Sequence, residues 1–251
     1  MNISAIIISR NEEENISACI KALDFADEII VIDNCSSDNT RELAEKSGAK
    51  VYEISGLDFS YLRNIGKEKA ASQWLLYIDA DERVSKNLSI EIKKAVKNPE
   101  SNSAFSIVRK NYFLGKPSPK LERINRLIKK DALIGWHGSL HESPIITGSI
   151  GELQFYLLHY THKNISSMVA KTNEWSAIEA QLLYKSNHPL MREWRFFRIL
   201  VTSFFRSYIQ NQAWKMGTTG FIESTYQAFS NFITYAKLWE KQNKSEVANE
   251  K

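Results

Sequence analysis

The chain has 251 residues, 43% hydrophobic and 25% charged, with a formal net charge of +4. That excludes an intrinsically disordered chain and is too mild a charge to imply nucleic-acid binding by itself. It fits one large domain, or one domain with a sizeable extension. Two cysteines, Cys19 and Cys35, form no C-x-x-C pair, so a reducing compartment is expected. Met1 to Arg10 lacks the basic start and apolar run of a signal peptide. No stretch reaches about 18 uninterrupted apolar residues, so no transmembrane helix is expected.

The first 80 residues alternate between strand and helix patterns. Ile3 to Ile8 reads as a buried strand, and Asn11-Glu12-Glu13-Glu14 opens a helix with acids in its first turn. Glu28 to Asp33 is the second strand. Ser36-Ser37-Asp38 caps a helix from Thr40 to Ser47, which stops at Gly48. Lys50 to Ile54 is the third strand, Leu57 to Ser72 a helix, and Trp74 to Asp79 the fourth strand. A helix follows over Lys86 to Val96. This alternation predicts an α/β domain with a mainly parallel sheet.

The segment from about 100 to 160 is less regular. Phe105–Arg109 and Arg126–Lys129 read as strands, and Gly115–Pro119 as a loop. From Asn164 the pattern is helical, with helices expected over Asn164–Ser186, Pro189–Gln212 and Gly220–Gln242. The expected division is therefore 1–163 as a catalytic domain and 164–251 as a helical extension.

Ligands of parallel sheets bind beyond the carboxyl ends of the strands. Arg10-Asn11-Glu12, Asp33-Asn34 and Asp79-Ala80-Asp81 all fall there. Two carboxylates brought to one point repel unless a cation joins them. Mg²⁺ or Mn²⁺ held by one or two carboxylates keeps positions open for phosphate oxygens. Asp79 and Asp81 are therefore the candidate metal ligands. A solvated turn with a helix cap would use the same residue types. Asp33 to Asp38 offers short polar groups for a base or ribose, and also an Asx turn. Arg63, on a helix, has the fork that bonds a diphosphate. Cys35 lacks an adjacent histidine and is read as a bystander.

Four motifs together carry a resemblance: Ser9-Arg10-Asn11-Glu12-Glu13, Val31 to Thr40, Arg63-Asn64-Ile65-Gly66 and Ile78-Asp79-Ala80-Asp81-Glu82. In order and spacing they resemble the family 2 inverting glycosyltransferases. Leu140-His141-Glu142 and the helical tail are more narrowly similar to the small bacterial branch that adds β-glucose to the lipopolysaccharide inner core. The resemblance implies a GT-A fold, Rossmann-like, and a metal-dependent nucleotide-sugar donor. It implies that Asp81 ligates the metal, that Asp79 contacts the ribose or the metal, and that Ser9, Asn11 and Asp33 line the nucleoside pocket. With Glu12, Asn34, Arg63 and Ala80 these form the expected donor site. Many members carry an aspartate where this chain has Asn34, which can donate as well as accept. Uridine is the first expectation for the base.

An inverting mechanism needs a base on the acceptor side, and Glu142 is the candidate. A loop glutamate paired with Arg123 or Arg126 is the plainer alternative. His141 is a candidate third metal ligand or phosphate partner. His137, His159 and His162 are further candidates for phosphate contacts.

Between Lys185 and Lys215 the chain mixes arginines with aromatic residues around a single acid, Glu193. Arg195, Arg198 and Arg206 share one helical face, and Phe197, Leu200, Phe204 and Tyr208 another. Such a helix suits an anionic membrane surface, or packs its aromatic face on the catalytic domain. The expected partners are a nucleotide-sugar donor, a glycan or glycolipid acceptor and an anionic membrane, with no nucleic acid. The expected location is the cytoplasmic face of the inner membrane. Two other readings are weighed. A nucleotidyltransferase usually opens with a glycine-rich phosphate loop, which Ile8–Glu12 lacks. A catalytically inactive membrane-docking module would not need Asp79, Asp81 and Glu142 intact.

Overall fold

A computed structural model of the chain describes residues 2–56, 58–138, 142–162 and 164–249. Strand β1 (Ile3–Ser9) is buried at every position. It lies between β2 (Glu28–Asp33) and β4 (Trp74–Asp79), parallel to both, and β3 (Lys50–Glu53) pairs parallel with β2. The register sets Ser9 opposite Asp33 and Ile8 opposite Asp79. Three polar strand ends are thereby level at one edge of the sheet.

Helices α1 (Ile16–Lys21), α2 (Thr40–Lys46), α3 (Phe59–Lys69) and α4 (Lys86–Lys97) follow these strands. Side chains of β1, β2 and β4 alternate between two cores. Ile3, Ile7, Val31, Leu76 and Ile78 pack with Cys19, Leu23, Leu88 and Ile92. Ile6, Ile8, Ile30, Ile32, Leu75 and Tyr77 pack with Leu62, Ala70 and Trp136. A sheet covered on both faces is why these strands read as apolar runs. Each fully buried Ile or Leu contributes about 1.5–3 kcal/mol.

Helix α1 begins five residues later than the acidic run suggested. Asn11 sits at φ +53, and its carboxamide oxygen accepts from Ser37 N–H at 2.8 Å. The Glu12 N–H donates to Thr40 Oγ1 at 2.8 Å. These bonds tie the β1–α1 loop to the β2–α2 loop and keep it out of helical geometry. Helix α2 stops before Gly48, at φ +89, as expected. In α3, capped by Asp58, Gly66 allows close approach to the sheet: a Cβ there would lie 2.4 Å from Ile6 Cγ2.

Among the described residues, eight strands form one mixed sheet in the order β3-β2-β1-β4-β7-β6-β10-β5. The added strands are β5 (Glu82–Val84), β6 (Asn102–Phe113), β7 (Lys116–Lys129) and β10 (Ser149–His162). A separate pair is β8 (Leu133–His137) with β9 (Ser143–Ile146). Strand β7 runs antiparallel to β4, and β10 antiparallel to β5. The expected loop over Gly115–Pro119 is instead a tight hairpin entering β7. Leu114 and Gly115 take positive φ, as a two-residue hairpin turn requires. Pro117 and Pro119 are tolerated because the ladder to β4 involves only Leu127, Ile128 and Lys129.

The chain divides into two compact units, Met1–Lys110 with Leu121–His159, and Asn111–Lys120 with Tyr160–Lys251. The tip of the β6–β7 hairpin thus joins the second unit. That unit contains α5 (Ile165–Lys185), α6 (Glu193–Phe205), a π-helical turn at Arg206–Gln210, a 3₁₀ turn at Ala213–Met216, and α7 (Thr218–Asn249). Both α5 and α6 pack on α7. The second expected helix starts at Glu193, not Pro189, because Arg192 is still extended. Ala180, Met191 and Leu238 form one small core, and Phe113, Met168 and Met216 another. No described helix is long and apolar enough to cross a membrane.

Candidate active site

The site builds outward from the end of β4. Asp79 is gripped on both oxygens: Oδ1 accepts from Arg63 Nη2 at 2.8 Å, and Oδ2 from Arg126 Nη2 at 2.7 Å. Burial opposes its ionisation. The Arg126 and Arg63 charges outweigh that and hold the carboxyl well below the usual carboxylate range. Asp79 therefore has no oxygen free of a guanidinium in this arrangement.

Arg63 is 2% exposed. Its guanidinium lies 4.8 Å from the Trp136 ring centre and 5.9 Å from that of Tyr77. Asn64, the next residue, accepts from Trp136 N–H at 2.8 Å and donates to Trp136 C=O at 3.0 Å. The Arg-Asn pair therefore fixes both β8 and the acidic cluster. Glu142 receives two bonds from Arg63, from Nε at 3.2 Å and Nη2 at 2.9 Å, both on Oε1. Its hydrogen-bonded partner is thus Arg63, while Arg123 pairs with Glu152 and Arg126 bonds Asp79 and reaches Glu142 through its charge alone. Among the described residues, Nη1 of Arg63 and Nη1 of Arg126 are buried without a hydrogen-bond partner. Each guanidinium therefore keeps one N–H available for a further hydrogen bond.

Asp81 meets His159, with 3.3 Å between Oδ1 and Nε2. The ladder of β10 against β5 sets this up by pairing His159 with Glu82. Burial opposes protonation of His159, but its bond to Asp81 and the charges of Asp81 and Glu82 raise its pKa overall. Glu82 is fully buried. It accepts from Asp79 N–H at 2.9 Å and faces Arg109 at 3.3 Å, which also holds Glu122. Burial, reinforced by the Asp79 charge, raises its pKa. Ala80 is buried, and its carbonyl accepts from Arg83 at 2.8 Å.

The nucleoside residues divide. Asp33 is fully buried, with Oδ1 bonded to Ser9 Oγ at 3.1 Å and Ser36 Oγ, and Oδ2 to Ser36 N–H at 2.8 Å. It staples two strand ends and is turned inward. Asn34 accepts from Gly56 N–H at 3.0 Å through Oδ1, which leaves its NH₂ as the donor edge. Asn11 is exposed and bonded to Ser37, and Glu12 accepts from Asn15 at 2.6 Å. Cys35 is exposed at φ +53.

His141 and the side chain of His162 lie outside the described residues, and His137 is exposed. Sequence reasoning missed Glu82 and Arg109, and offered His159 only as a phosphate contact and Arg126 only as a partner for Glu142. Glu82 reaches Asp79 across a local turn, three residues on; Arg109, Arg126 and His159 are brought in by long-range strand pairing.

In the second unit, α6 has no fully buried residue. Phe197 is 71% exposed, Trp194 55% and Phe205 51%, with Val201 between them on the same face. Arg195 and Arg198 lie over Trp194, at 5.0 and 5.4 Å from its ring centre. Phe204 stacks on Tyr208, expected on the same face, and meets Phe221 edge-on at 5.8 Å rather than pointing outward with Phe197. Phe205 takes the outward position, and Arg206 is exposed at the start of the π turn.

A parallel half-sheet with acids beyond its fourth strand, extended by antiparallel strands, defines a GT-A nucleotide-sugar transferase fold. A family model described as glycosyl transferase family 2 matches residues 4–149. The chain is 30% identical to an uncharacterized glycosyltransferase of Rickettsia conorii, over 97% of this chain and 92% of that one. It is 27% identical to the lipopolysaccharide core biosynthesis glycosyltransferase LpsC of Rhizobium meliloti, over 95% and 92%. Mannosyl-3-phosphoglycerate synthase from Rubrobacter xylanophilus superposes with a TM-score of 0.51 at 14% identity, over 77% of each chain, a likeness of fold alone. The chain belongs to glycosyl transferase family 2 and is a transferase enzyme.

Proposed function

We propose that this enzyme moves a hexose, with inversion, from a uridine-diphosphate sugar to a hydroxyl of a lipopolysaccharide-core-type glycolipid. The observation that carries the reading is the joined cluster at the end of β4. Asp81 with His159, Asp79 with two arginines, and Glu142 on the same Arg63 meet there. The acceptor class rests on likeness to the core glycosyltransferase LpsC.

Asp81 would hold a divalent cation through its carboxylate, with positions left for phosphate oxygens. His159, whose Nε2 lies 3.3 Å from Asp81, would join it only on giving up that bond and its proton, and among the described residues no cluster of three or more His, Cys, Asp or Glu side chains is assembled for an ion. Asp79, with both oxygens on guanidinium groups, does not fit as a ligand. A carboxylate with phosphate oxygens suits either Mg²⁺ or Mn²⁺. When bound, the cation neutralises the departing nucleoside diphosphate. The unpaired Nη1 donor of Arg126 supplies a charge-assisted bond to the same anion. Asn34 offers its NH₂ to a base carbonyl.

Glu142 takes the acceptor hydroxyl's proton as that oxygen bonds to the anomeric carbon. The bond from that carbon to the diphosphate oxygen breaks on the opposite face, and its electron pair leaves with the nucleoside diphosphate. Configuration at the carbon inverts.

The region 164–251 is proposed to seat the enzyme on an anionic membrane, on the cytoplasmic face. The outward Trp194, Phe197, Val201 and Phe205, flanked by Arg195, Arg198 and Arg206, support this reading.

The test is a thermal-shift screen of nucleotide sugars with Mn²⁺ or Mg²⁺, followed by transfer to core glycolipid. A ligand bound by the native state alone raises the melting point. A rise with uridine-diphosphate sugars only in the presence of cation supports the reading. No rise with any nucleotide sugar overturns it.

A further inference from the structure

We propose that Arg63 is a positioning residue for the transfer step: it fixes the carboxylate of Glu142 relative to Asp79, so that the base stands at the donor site. This rests on the reading of Glu142 as the base.

The guanidinium is the common partner of two carboxylates from different parts of the chain. Nη2 donates to Asp79 Oδ1 at 2.8 Å and to Glu142 Oε1 at 2.9 Å, and Nε adds a second bond to Glu142 at 3.2 Å. Without a cation between them, two carboxylates this close repel. Arg126 also acts on Glu142 through its charge, but its hydrogen bond goes to the other oxygen of Asp79, whereas Arg63 bonds both carboxylates.

Arg63 itself is immobilised. It is stacked at 4.8 Å on Trp136, whose backbone is clamped by Asn64. Helix α3 is seated on the sheet at Gly66, where no Cβ fits against Ile6. A rigid platform, a rigid guanidinium and two bonds on one oxygen hold Glu142 in place, with Oε2 outside both bonds. The planar fork matters as well as the charge, since a lysine ammonium cannot offer Nε and Nη2 together.

This role separates from direct phosphate binding by what each would change. A phosphate ligand sets donor affinity. A residue that orients the base sets turnover, and a misplacement of about 1 Å costs roughly 100-fold. Kinetics of Arg63→Lys, Glu142→Gln and the double variant, with donor affinity by calorimetry, read the difference. Arg63→Lys should cut kcat about 100-fold, with donor Kd nearly unchanged. Added to Glu142→Gln it should cost little more, because both changes act through one group.

A donor Kd that rises while kcat holds overturns the proposal, as does a loss that multiplies fully with that of Glu142→Gln. Wild-type turnover by Glu142→Gln removes the base itself, and the proposal with it. Should Arg63→Lys fail to fold, Trp136→Leu withdraws the ring beneath the guanidinium and should show the same kcat-only loss; unchanged kcat there overturns the proposal.

Discussion

Arg63 and Glu142, 79 positions apart in the chain, meet through two hydrogen bonds to a single carboxylate oxygen. The same guanidinium holds Asp79. The end of β4 and the segment before β9 thereby become one charged assembly, and several outcomes depend on it.

Asp79 is the counter-charge of two buried arginines. Asp79→Asn should destabilise the metal-free protein by about 3–5 kcal/mol near neutral pH, the cost of orphaning a buried charge. Its folded pKa is depressed, so its stabilisation is present above the unfolded value of about 3.9 and is lost as pH falls toward the folded one. The gap in melting temperature between wild type and Asp79→Asn should therefore narrow below about pH 4. A gap that widens in acid contradicts the assignment.

Gly66 seats α3 on the sheet. Gly66→Ala places a methyl 2.4 Å from Ile6 Cγ2. Denaturant unfolding should show a loss of about 1–3 kcal/mol from overpacking. Gly66→Ala with Ile6→Val should recover part of it. Equal stability of Gly66→Ala and wild type would mean the helix sits further from β1.

Much of this was legible in the sequence. The Ile-rich runs of β1 and β2 and the run of β4 are buried on both faces, and a fully buried strand cannot hide its composition. The strand ends carrying Asp33 and Asp79 followed directly. The illegible parts share one cause, pairing between distant segments. His159 reaches Asp81 only through the β5–β10 register, and nothing local to either residue announces it. Pro117 and Pro119 read as loop because proline lacks the ladder N–H, yet this part of β7 lies outside the ladder to β4. For Phe204 and Phe205, helical spacing alone did not say which ring would meet Phe221.

Asn34 accepts through Oδ1 from Gly56, so in the proposed donor site it would meet a base as a donor. Asn34→Asp keeps an acceptor for Gly56 N–H and removes that donor. Affinity for uridine diphosphate should fall about tenfold, the scale of one lost hydrogen bond, with melting temperature unchanged. Tighter binding would mean that the base presents an N–H at this position.

The outward face of α6 predicts interfacial binding. Arg195→Glu with Arg198→Glu should weaken sedimentation with anionic vesicles by roughly 2 kcal/mol, about 1 kcal/mol per basic residue. Phe197→Ser should weaken binding to neutral vesicles as well. Unchanged partitioning of both variants would assign this face another role.

The most direct test of the account is calorimetric titration of a uridine-diphosphate sugar into wild type and Asp81→Ala, with and without Mn²⁺. The account predicts that Mn²⁺ tightens donor binding to the wild type and leaves Asp81→Ala indifferent to the ion. Equal enhancement by Mn²⁺ in both proteins would contradict it.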